Sequence, residues 1–176
     1  MAGTGRVEIR RLAGADLQAQ LDGLATVLAD VVAGGASVSY LWPFSHADAR
    51  AAFERWAAEV DSGTRLLLAA FLDGEVVGTV QANLALPPNQ PHRGDVAKLL
   101  VHRRARRRGI ATLLMDRLEA EARAEGRTLL VLDTVTGDAA ERLYERAGWN
   151  RVGVIPGYAL YPDGRPCDTT VFWKRV

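Results

Sequence analysis

The stretch that decides the fold is residues 95–118, DVAKLLVHRRARRRGIATLLMDRL. It begins as an apolar strand pattern that ends at Val101 and becomes a helix pattern near Gly109. Five arginines lie between positions 103 and 108. A helix N-terminus presents free backbone N–H groups and partial positive charge, and glycine lets an anion approach the backbone. The junction therefore predicts a phosphate-binding site.

Two other interpretations of the basic junction stay open at this point, a solvated turn and a nucleic-acid contact. No aromatic residue interleaves the arginines, although single strands usually stack on aromatic side chains. The formal net charge of +1 also argues against a dedicated nucleic-acid binder. We therefore expect no nucleic-acid partner.

Outward from this junction, the hydrophobic period alternates between that of strands and that of helices. Asp16 and Ser45 are expected to cap helices, and Asp73-Gly74 predicts a tight hairpin. The strand patterns cover 7–12, 65–72, 76–86, 95–101, 128–133, 149–155 and 169–174, and the helix patterns cover 16–34, 45–60, 109–125 and 137–147. The order β-α-α-β-β-β-α-β-α-β-β predicts an α/β (α+β) fold, a mixed central sheet flanked by helices in one domain spanning 1–176.

Composition excludes several classes of protein. Apolar residues make up 48% of the 176 residues, enough for a sizeable core, and charged residues make up 24%. Cys167 is the single cysteine and the three histidines are scattered, so we expect neither a disulfide nor a metal site. The N-terminus has no apolar signal region, and the longest apolar run, Leu66 to Leu72, is too short for a bilayer. A soluble cytoplasmic protein without a membrane partner is expected.

Three motifs resemble the GNAT acyltransferase superfamily in order and spacing. They are Leu99-Leu100-Val101, Arg106-x-x-Gly109-x-Ala111 and Leu143-Tyr144-x-x-x-Gly148-Trp149. The predicted element order also matches the GNAT acyl-CoA N-acyltransferase fold. Several stretches look closer still to the tabtoxin-resistance acetyltransferases, which acetylate a β-lactam amino-acid toxin: 34–38, 96–101, 132–134, 151–158 and 162–165.

The resemblance implies a cosubstrate, acetyl-CoA, and a role for each motif. Tyr144 would stand beside the sulfur as general acid, and Asp95 and Asp133 match acidic residues that take the amine proton. The N–H of Val101 would polarise the thioester carbonyl. The implied acetyl-CoA contacts are Leu99, Leu100 and Val101 for the pantetheine arm, Arg106, Arg107, Arg108, Gly109, Ile110, Ala111 and Thr112 for the pyrophosphate, and Tyr144 for the sulfur.

This chain departs from the superfamily pattern at three positions. Ala111 replaces the last glycine of the motif, and Gly137 stands where many members have asparagine, which puts that coenzyme contact in doubt. Asp95 stands where the tabtoxin-resistance enzymes have glutamate, so a water would have to bridge it to the substrate.

The candidate catalytic residues also have structural interpretations. Acetylation needs an unprotonated amine, and an alkylamine with a pKa near 10.4 needs a carboxylate or another base to lose its proton. Asp95 fits equally a solvent-facing strand start, Asp133 fits a turn cap, and Tyr144 fits a core aromatic residue. The substrate end is expected among the loops 34–42, 86–92 and 158–165, where Tyr40, Trp42, Tyr158 and Tyr161 would form walls and Arg165 would meet a substrate carboxylate.

The favoured hypothesis is an N-acetyltransferase that acts on the amine of a small molecule by direct attack in a ternary complex. An amino-acid-like toxin or antibiotic is one candidate acceptor. The alternatives are a protein N-terminal or lysine acetyltransferase and a non-catalytic acyl-CoA-binding module. The acceptor and the oligomeric state are left open, with a homodimer as one option.

Overall fold

A computed structural model describes residues 5–176 of the chain. The elements are β1 (Val7–Arg11), α1 (Gly14–Ala33), α2 (His46–Asp61), β2 (Arg65–Leu72), β3 (Glu75–Asn83), β4 (Arg93–Val101), a 3-10 turn (Arg103–Ala105), α3 (Ile110–Ala124), β5 (Leu129–Val135), α4 (Ala139–Arg146), β6 (Asn150–Leu160) and β7 (Pro166–Arg175). The predicted order of strands and helices and the predicted fold class are confirmed.

The strands form a seven-stranded mixed sheet in the order β1-β2-β3-β4-β5-β7-β6. The pairs from β1 to β4 are antiparallel, as are β5 with β7 and β7 with β6. β4 and β5 are parallel and pair only from Arg93 to Asp95 against Leu129 to Val131. Beyond Asp95 the two strands diverge, which opens a gap in the middle of the sheet.

Helices cover the sheet on both faces, and β2 shows how the sequence permits this. Leu67, Ala69 and Phe71 belong to the core with α1 and α2, whereas Leu66 and Leu68 belong to the core with α3. Successive side chains of a strand point to opposite faces, so a strand covered on both faces is apolar throughout. This explains why residues 65–72 lack the alternation of a half-exposed strand.

A β-bulge at Lys98 interrupts β4. Gln81 pairs with Ala97, but Thr79 pairs with Leu100, so β4 has one residue more than β3 at this point. Lys98 has a left-handed backbone, with φ of 55°. Because side chains alternate with a period of two, one extra residue exchanges the faces of the strand. Val96 accordingly lies in the α3 core, and Leu100 lies in the α1 and α2 core.

Local signals set some helix ends as expected and others differently. Ser45 caps α2 in a capping box with Asp48, as predicted. Asp16 does not cap α1, because the helix begins at Gly14 and Asp16 lies in its first turn. α4 begins at Ala139, because Gly137 has a φ of 85° and belongs to the preceding turn.

The β6–β7 hairpin is longer than its sequence pattern indicates. β6 extends to Leu160 and β7 begins at Pro166, so the predicted loop from Tyr158 is shortened to residues 161–165. β6 crosses Pro156 and Gly157 with a register irregularity between Ile155 and Ala159. An edge strand tolerates such residues, because one side of its backbone has no partner to satisfy.

Candidate active site

The N-terminus of α3 opens beside the gap between β4 and β5. Gly109 is the N-cap residue, with φ of 75°, and Arg107 is also left-handed, with φ of 62°. Alternating right- and left-handed residues turn successive N–H groups toward one concave surface that binds anions. A β-branched residue at Gly109 would be strained, because its side chain disfavours this conformation.

The five arginines of the junction divide into two groups. Arg103 donates to Asp30 at 2.9 Å through both its backbone N–H and Nε, and Arg104 donates to Glu75 at 2.7 Å. These two are occupied by structural ion pairs. The other three, Arg106, Arg107 and Arg108, are exposed, and within residues 5–176 they form no ion pair. They are the arginines that remain available as countercharge for an anion.

The backbone of Val101 faces the gap. The N–H of His102 donates to Val77 on β3 at 2.8 Å. Because the hydrogen bonds of a strand alternate between its two sides, the N–H and C=O of Val101 point toward β5 instead. The Val101 carbonyl accepts a hydrogen bond from Arg106 Nε at 3.3 Å, which is consistent with this orientation.

Asp133 of β5 and Asp95 of β4 are close enough to influence each other. Burial raises the pKa of Asp133 above its ordinary value; the charge of Lys98 acts against this rise, and that of Asp95 adds to it. Asp95 forms an ion pair with Arg93. The raised pKa brings the Asp133 carboxyl group closer to neutral pH, which favours it for proton transfer.

Tyr144 is both a core residue and a neighbour of Asp133. Its side chain is 5% exposed, and its ring packs against Trp149 and Phe172 at centroid distances of 5.8 and 5.9 Å. Burial, and secondarily the charge of Asp133, raises the pKa of Tyr144 well above its usual range. The phenol therefore stays protonated, as a hydrogen-bond donor must.

Lys98 is not among the site residues predicted from the sequence. Its Nζ donates to the Val38 carbonyl at 2.9 Å and to Ser39 Oγ at 2.7 Å, and lies 5.5 Å from the centre of the Tyr40 ring. Burial lowers the pKa of Lys98 to about 8, with Asp133 opposing and Arg65 reinforcing the shift. A lone lysine inside an apolar strand pattern was the signal that could have identified it.

Arg65 was missed as well. It donates from Nε to Glu59 at 2.8 Å and from Nη1 to Gln81 Oε1 at 3.1 Å. Its guanidinium also lies 5.3 Å from the centre of the Trp56 ring. An arginine at the start of a strand is usually expected to face solvent, so the local sequence did not indicate that Arg65 belongs to the site.

The loop between α1 and α2 is joined to the β6–β7 hairpin. Ser37 Oγ donates to the Leu160 carbonyl at 2.6 Å, and the N–H of Trp42 donates to the Pro162 carbonyl at 2.9 Å. Cys167 Sγ approaches Ser37 Oγ at 3.5 Å. Two of the three predicted substrate loops are thus in direct contact.

The predicted wall residues have different surroundings. Tyr40 packs against Phe44, with ring centres 4.4 Å apart. Trp42 and Tyr158 are half exposed, at 50% and 57%, which is more than residues of a closed wall would be. Arg165 donates to Asp163 at 2.7 Å, so its charge already has a partner.

The third predicted loop lies at the start of β5. The carbonyl of His92 accepts hydrogen bonds from the N–H groups of Thr128 and Leu129, which fixes the end of this loop to that strand.

Within the described part of the chain, no group of three or more His, Cys, Asp or Glu residues is placed to hold a metal ion. No helix among residues 5–176 is long and apolar enough to cross a membrane.

Solved structures with the same fold cover nearly the whole chain. A ribosomal-protein-alanine N-acetyltransferase from Brucella melitensis is 23% identical, with a TM-score of 0.79 over 96% of this chain and 99% of that one. A Salmonella typhimurium protein assigned as an acetyltransferase and solved with acetyl-CoA is 19% identical, with a TM-score of 0.78 over 96% and 93%. A protein assigned as a phosphinothricin N-acetyltransferase is 18% identical, with a TM-score of 0.77 over 97% and 98%.

The sequence itself matches a family model. The model of the acetyltransferase (GNAT) family matches residues 32–149, well over half of the chain. The match runs from the end of α1 to the Trp149 that packs on Tyr144, so it includes the gap, the α3 N-terminus and both aspartates. The chain therefore belongs to the acetyltransferase (GNAT) family and is an acetyl-CoA-dependent N-acetyltransferase.

Proposed function

We propose that this protein acetylates the primary amine of a small molecule by direct attack in a ternary complex. The observation that carries the proposal is the α1–α2 loop, which is hydrogen-bonded both to the β6–β7 hairpin and to Lys98, whose charge acts on Asp133. One end of the site supplies a base and a phenol, and the joined loop and hairpin border the acceptor side.

The division of labour follows from the positions of the groups. The pantetheine arm of acetyl-CoA enters the gap along Leu99, Leu100 and Val101, and its pyrophosphate meets the N–H groups from Arg107 to Thr112. The Val101 N–H hydrogen-bonds the thioester oxygen as negative charge develops there. Asp133 takes the amine proton, with Asp95 assisting through water. Tyr144 donates to the departing thiolate.

The ties across the acceptor side favour a small acceptor over a protein. An extended peptide needs an open groove, whereas the hydrogen bonds from Ser37 to Leu160 and from Trp42 to Pro162 bridge the two sides. The fold alone does not decide, because relatives with it are described as acting on a ribosomal protein and on phosphinothricin. Exposed Trp42 and Tyr158 at the rim are what a protein acceptor would use.

The acceptor class we favour is an amino-acid-like toxin or antibiotic. Support comes from the stretches that resemble the tabtoxin-resistance acetyltransferases, which include the β4 segment with Lys98 and the end of β5 with Asp133. A zwitterionic acceptor would meet carboxylates at its ammonium and the positive charge of Lys98 at its carboxylate.

The test is an acetylation panel with the full-length protein. Amino acids, phosphinothricin, a polyamine and a peptide with N-terminal alanine are each incubated with acetyl-CoA, and coenzyme A release is measured. We expect kcat/KM for one small amine to exceed that of the peptide by about tenfold or more, as a closed site would impose. Preference for the peptide would make the protein a protein acetyltransferase.

A thermal shift separates binding from turnover. Acetyl-CoA should raise the Tm of the wild-type protein, because a ligand that binds only the native state stabilises it. Gly109→Val should lose this shift while remaining folded. A wild-type shift without turnover on any amine would instead indicate a binding module.

A further inference from the structure

Lys98 joins two parts of the molecule that are far apart in sequence. Its backbone forms the bulge of β4, and its Nζ donates to the carbonyl of Val38 and the hydroxyl of Ser39, 60 and 59 residues earlier. Ser39 is itself left-handed, with φ of 83°. The Lys98 side chain thus connects the sheet to the middle of the α1–α2 loop.

The surroundings of Lys98 are charged on several sides. Asp133 on β5 attracts it, Arg65 on β2 repels it, and the Tyr40 ring of the loop lies on another side. Asp95 on its own strand acts on Asp133 in turn. Within residues 5–176, no carboxylate is close enough to Lys98 for an ion pair. The loop therefore fixes the position of the Lys98 ammonium group, and the charge of this group acts to lower the pKa of Asp133.

We propose that Lys98 is a positioning residue that fastens the α1–α2 loop to the β4 bulge and places a positive charge beside Asp133. The inference rests on the proposed function, because it makes the acceptor wall and the base depend on one side chain. Loss of Lys98 would loosen the wall and alter the base at the same time.

Three variants separate the two effects. Lys98→Met keeps an unbranched chain of similar length and removes both the hydrogen bonds and the charge. Lys98→Arg keeps the charge and donors. Ser39→Gly tolerates the left-handed backbone and removes only one acceptor, so it should loosen the loop without changing the charge beside Asp133.

Lys174→Met is the matched control. Lys174 is also half buried and also donates to a carbonyl of another element, Ala147, but it belongs to an ion pair with Glu119. A merely structural lysine of this kind should change stability without reaching the loop or Asp133.

The first measurement is hydrogen–deuterium exchange of the backbone N–H groups from Ala36 to Trp42. Exchange should rise by about tenfold or more in Lys98→Met, because a hydrogen bond from a charged donor is lost. It should rise less in Ser39→Gly and stay at the wild-type level in Lys174→Met. Unchanged exchange in Lys98→Met would overturn the tether.

The second measurement is the titration of the Asp133 carboxyl carbon by NMR. Lys98 now lowers the pKa of Asp133, so Lys98→Met should move this titration to higher pH, while Lys98→Arg and Ser39→Gly should leave it in place. An unmoved titration in Lys98→Met would overturn the electrostatic part. If Lys98→Met does not fold, Ser39→Gly decides the tether by exchange, and Lys98→Gln, which removes the charge and keeps a donor, decides the electrostatic part by titration.

Neither measurement needs an acceptor amine. A wild-type protein that turns over an amine, together with unchanged exchange and titration in Lys98→Met, would refute the role of Lys98 alone. Absence of turnover in the panel would refute the proposed function, whatever these two measurements show.

Discussion

The two lysines of this protein, Lys98 and Lys174, are both partly buried, but their ammonium groups have different partners. Lys174 gives its three protons to three acceptors, both oxygens of Glu119 and the Ala147 carbonyl, at 2.8 to 2.9 Å. Glu119 also accepts from Trp149 Nε1 at 3.2 Å. Lys98 has two hydrogen-bond acceptors, both in the α1–α2 loop. The Asp133 carboxylate opposes the lowering of the pKa of Lys98 by burial but, among the described residues, forms no ion pair with it.

The difference suggests different roles, a structural one for Lys174 and one in proton transfer for the cluster around Lys98. A buried ion pair with every proton satisfied is costly to break from one side. A charge cluster with incomplete pairing has displaced pKa values, which is what proton transfer requires. Each lysine therefore makes its own predictions, in stability for Lys174 and in rate and pH dependence for the cluster of Lys98, Asp133 and Tyr144.

Removing Lys174 should have the largest effect. Lys174→Met leaves Glu119, whose side chain is 7% exposed, without its counterion. We expect the free energy of unfolding in urea to fall by about 3–5 kcal/mol, with kcat/KM per folded molecule unchanged. A stable Lys174→Met protein, or one with a specific loss of rate, would erase the contrast between the two lysines.

Asp133→Asn should lower the rate by about a hundredfold to ten-thousandfold, as the loss of a general base does. Acetyl-CoA affinity should stay the same. In the wild type, kcat/KM should fall as the pH drops through the raised pKa of Asp133, and this acidic limb should disappear in the variant. Initial rates across pH 4 to 8 check it, and a retained limb would mean that another group is the base.

Lys98→Met should flatten the alkaline stability profile. Between the folded pKa of about 8 and the ordinary value of 10.5, the unfolded chain binds the Lys98 proton more tightly. The free energy of unfolding of the wild type therefore increases as the pH rises through this window, and Lys98 contributes up to about 3 kcal/mol of the increase. Comparing the Tm of both proteins from pH 7 to 10 tests this, and parallel profiles would contradict it.

Tyr144→Phe should have the smallest effect. The ring and its packing on Trp149 and Phe172 remain, and one hydrogen bond to the leaving thiolate is lost. We expect kcat to fall by about tenfold to a hundredfold, with little change in Tm or in acetyl-CoA binding. Equal rates for variant and wild type would leave Tyr144 as a core residue only.

What the sequence predicted well is what local chemistry determines. The side chain of Ser45 satisfies the first N–H groups of α2, and Asp73 and Gly74 adopt left-handed backbones with φ of 52° and 85°, so both features are encoded within a few residues. The Gly109 junction was found for the same reason. These signals do not depend on what the rest of the chain does.

What it missed depends on distant partners. The bulge at Lys98 exists only relative to β3, and the acceptors of Lys98 lie 59 and 60 residues away. The end of β6 was predicted at Ile155, although this edge strand continues through Pro156 and Gly157 to Leu160 and pairs there with β7. Tyr144 was predicted as catalytic or as core; the structure places it in the core beside Asp133.

The contact between Ser37 and Leu160 has a consequence for biosynthesis. The two residues are 123 positions apart. At about 5–20 residues per second, a ribosome delivers Leu160 roughly 6 to 25 s after Ser37. A nascent chain thus contains β4 and α3 before β6, the strand that accepts the hydrogen bond from the α1–α2 loop, has been made. The contact between the α1–α2 loop and the β6–β7 hairpin is therefore formed late in synthesis, after most of the sheet has been made.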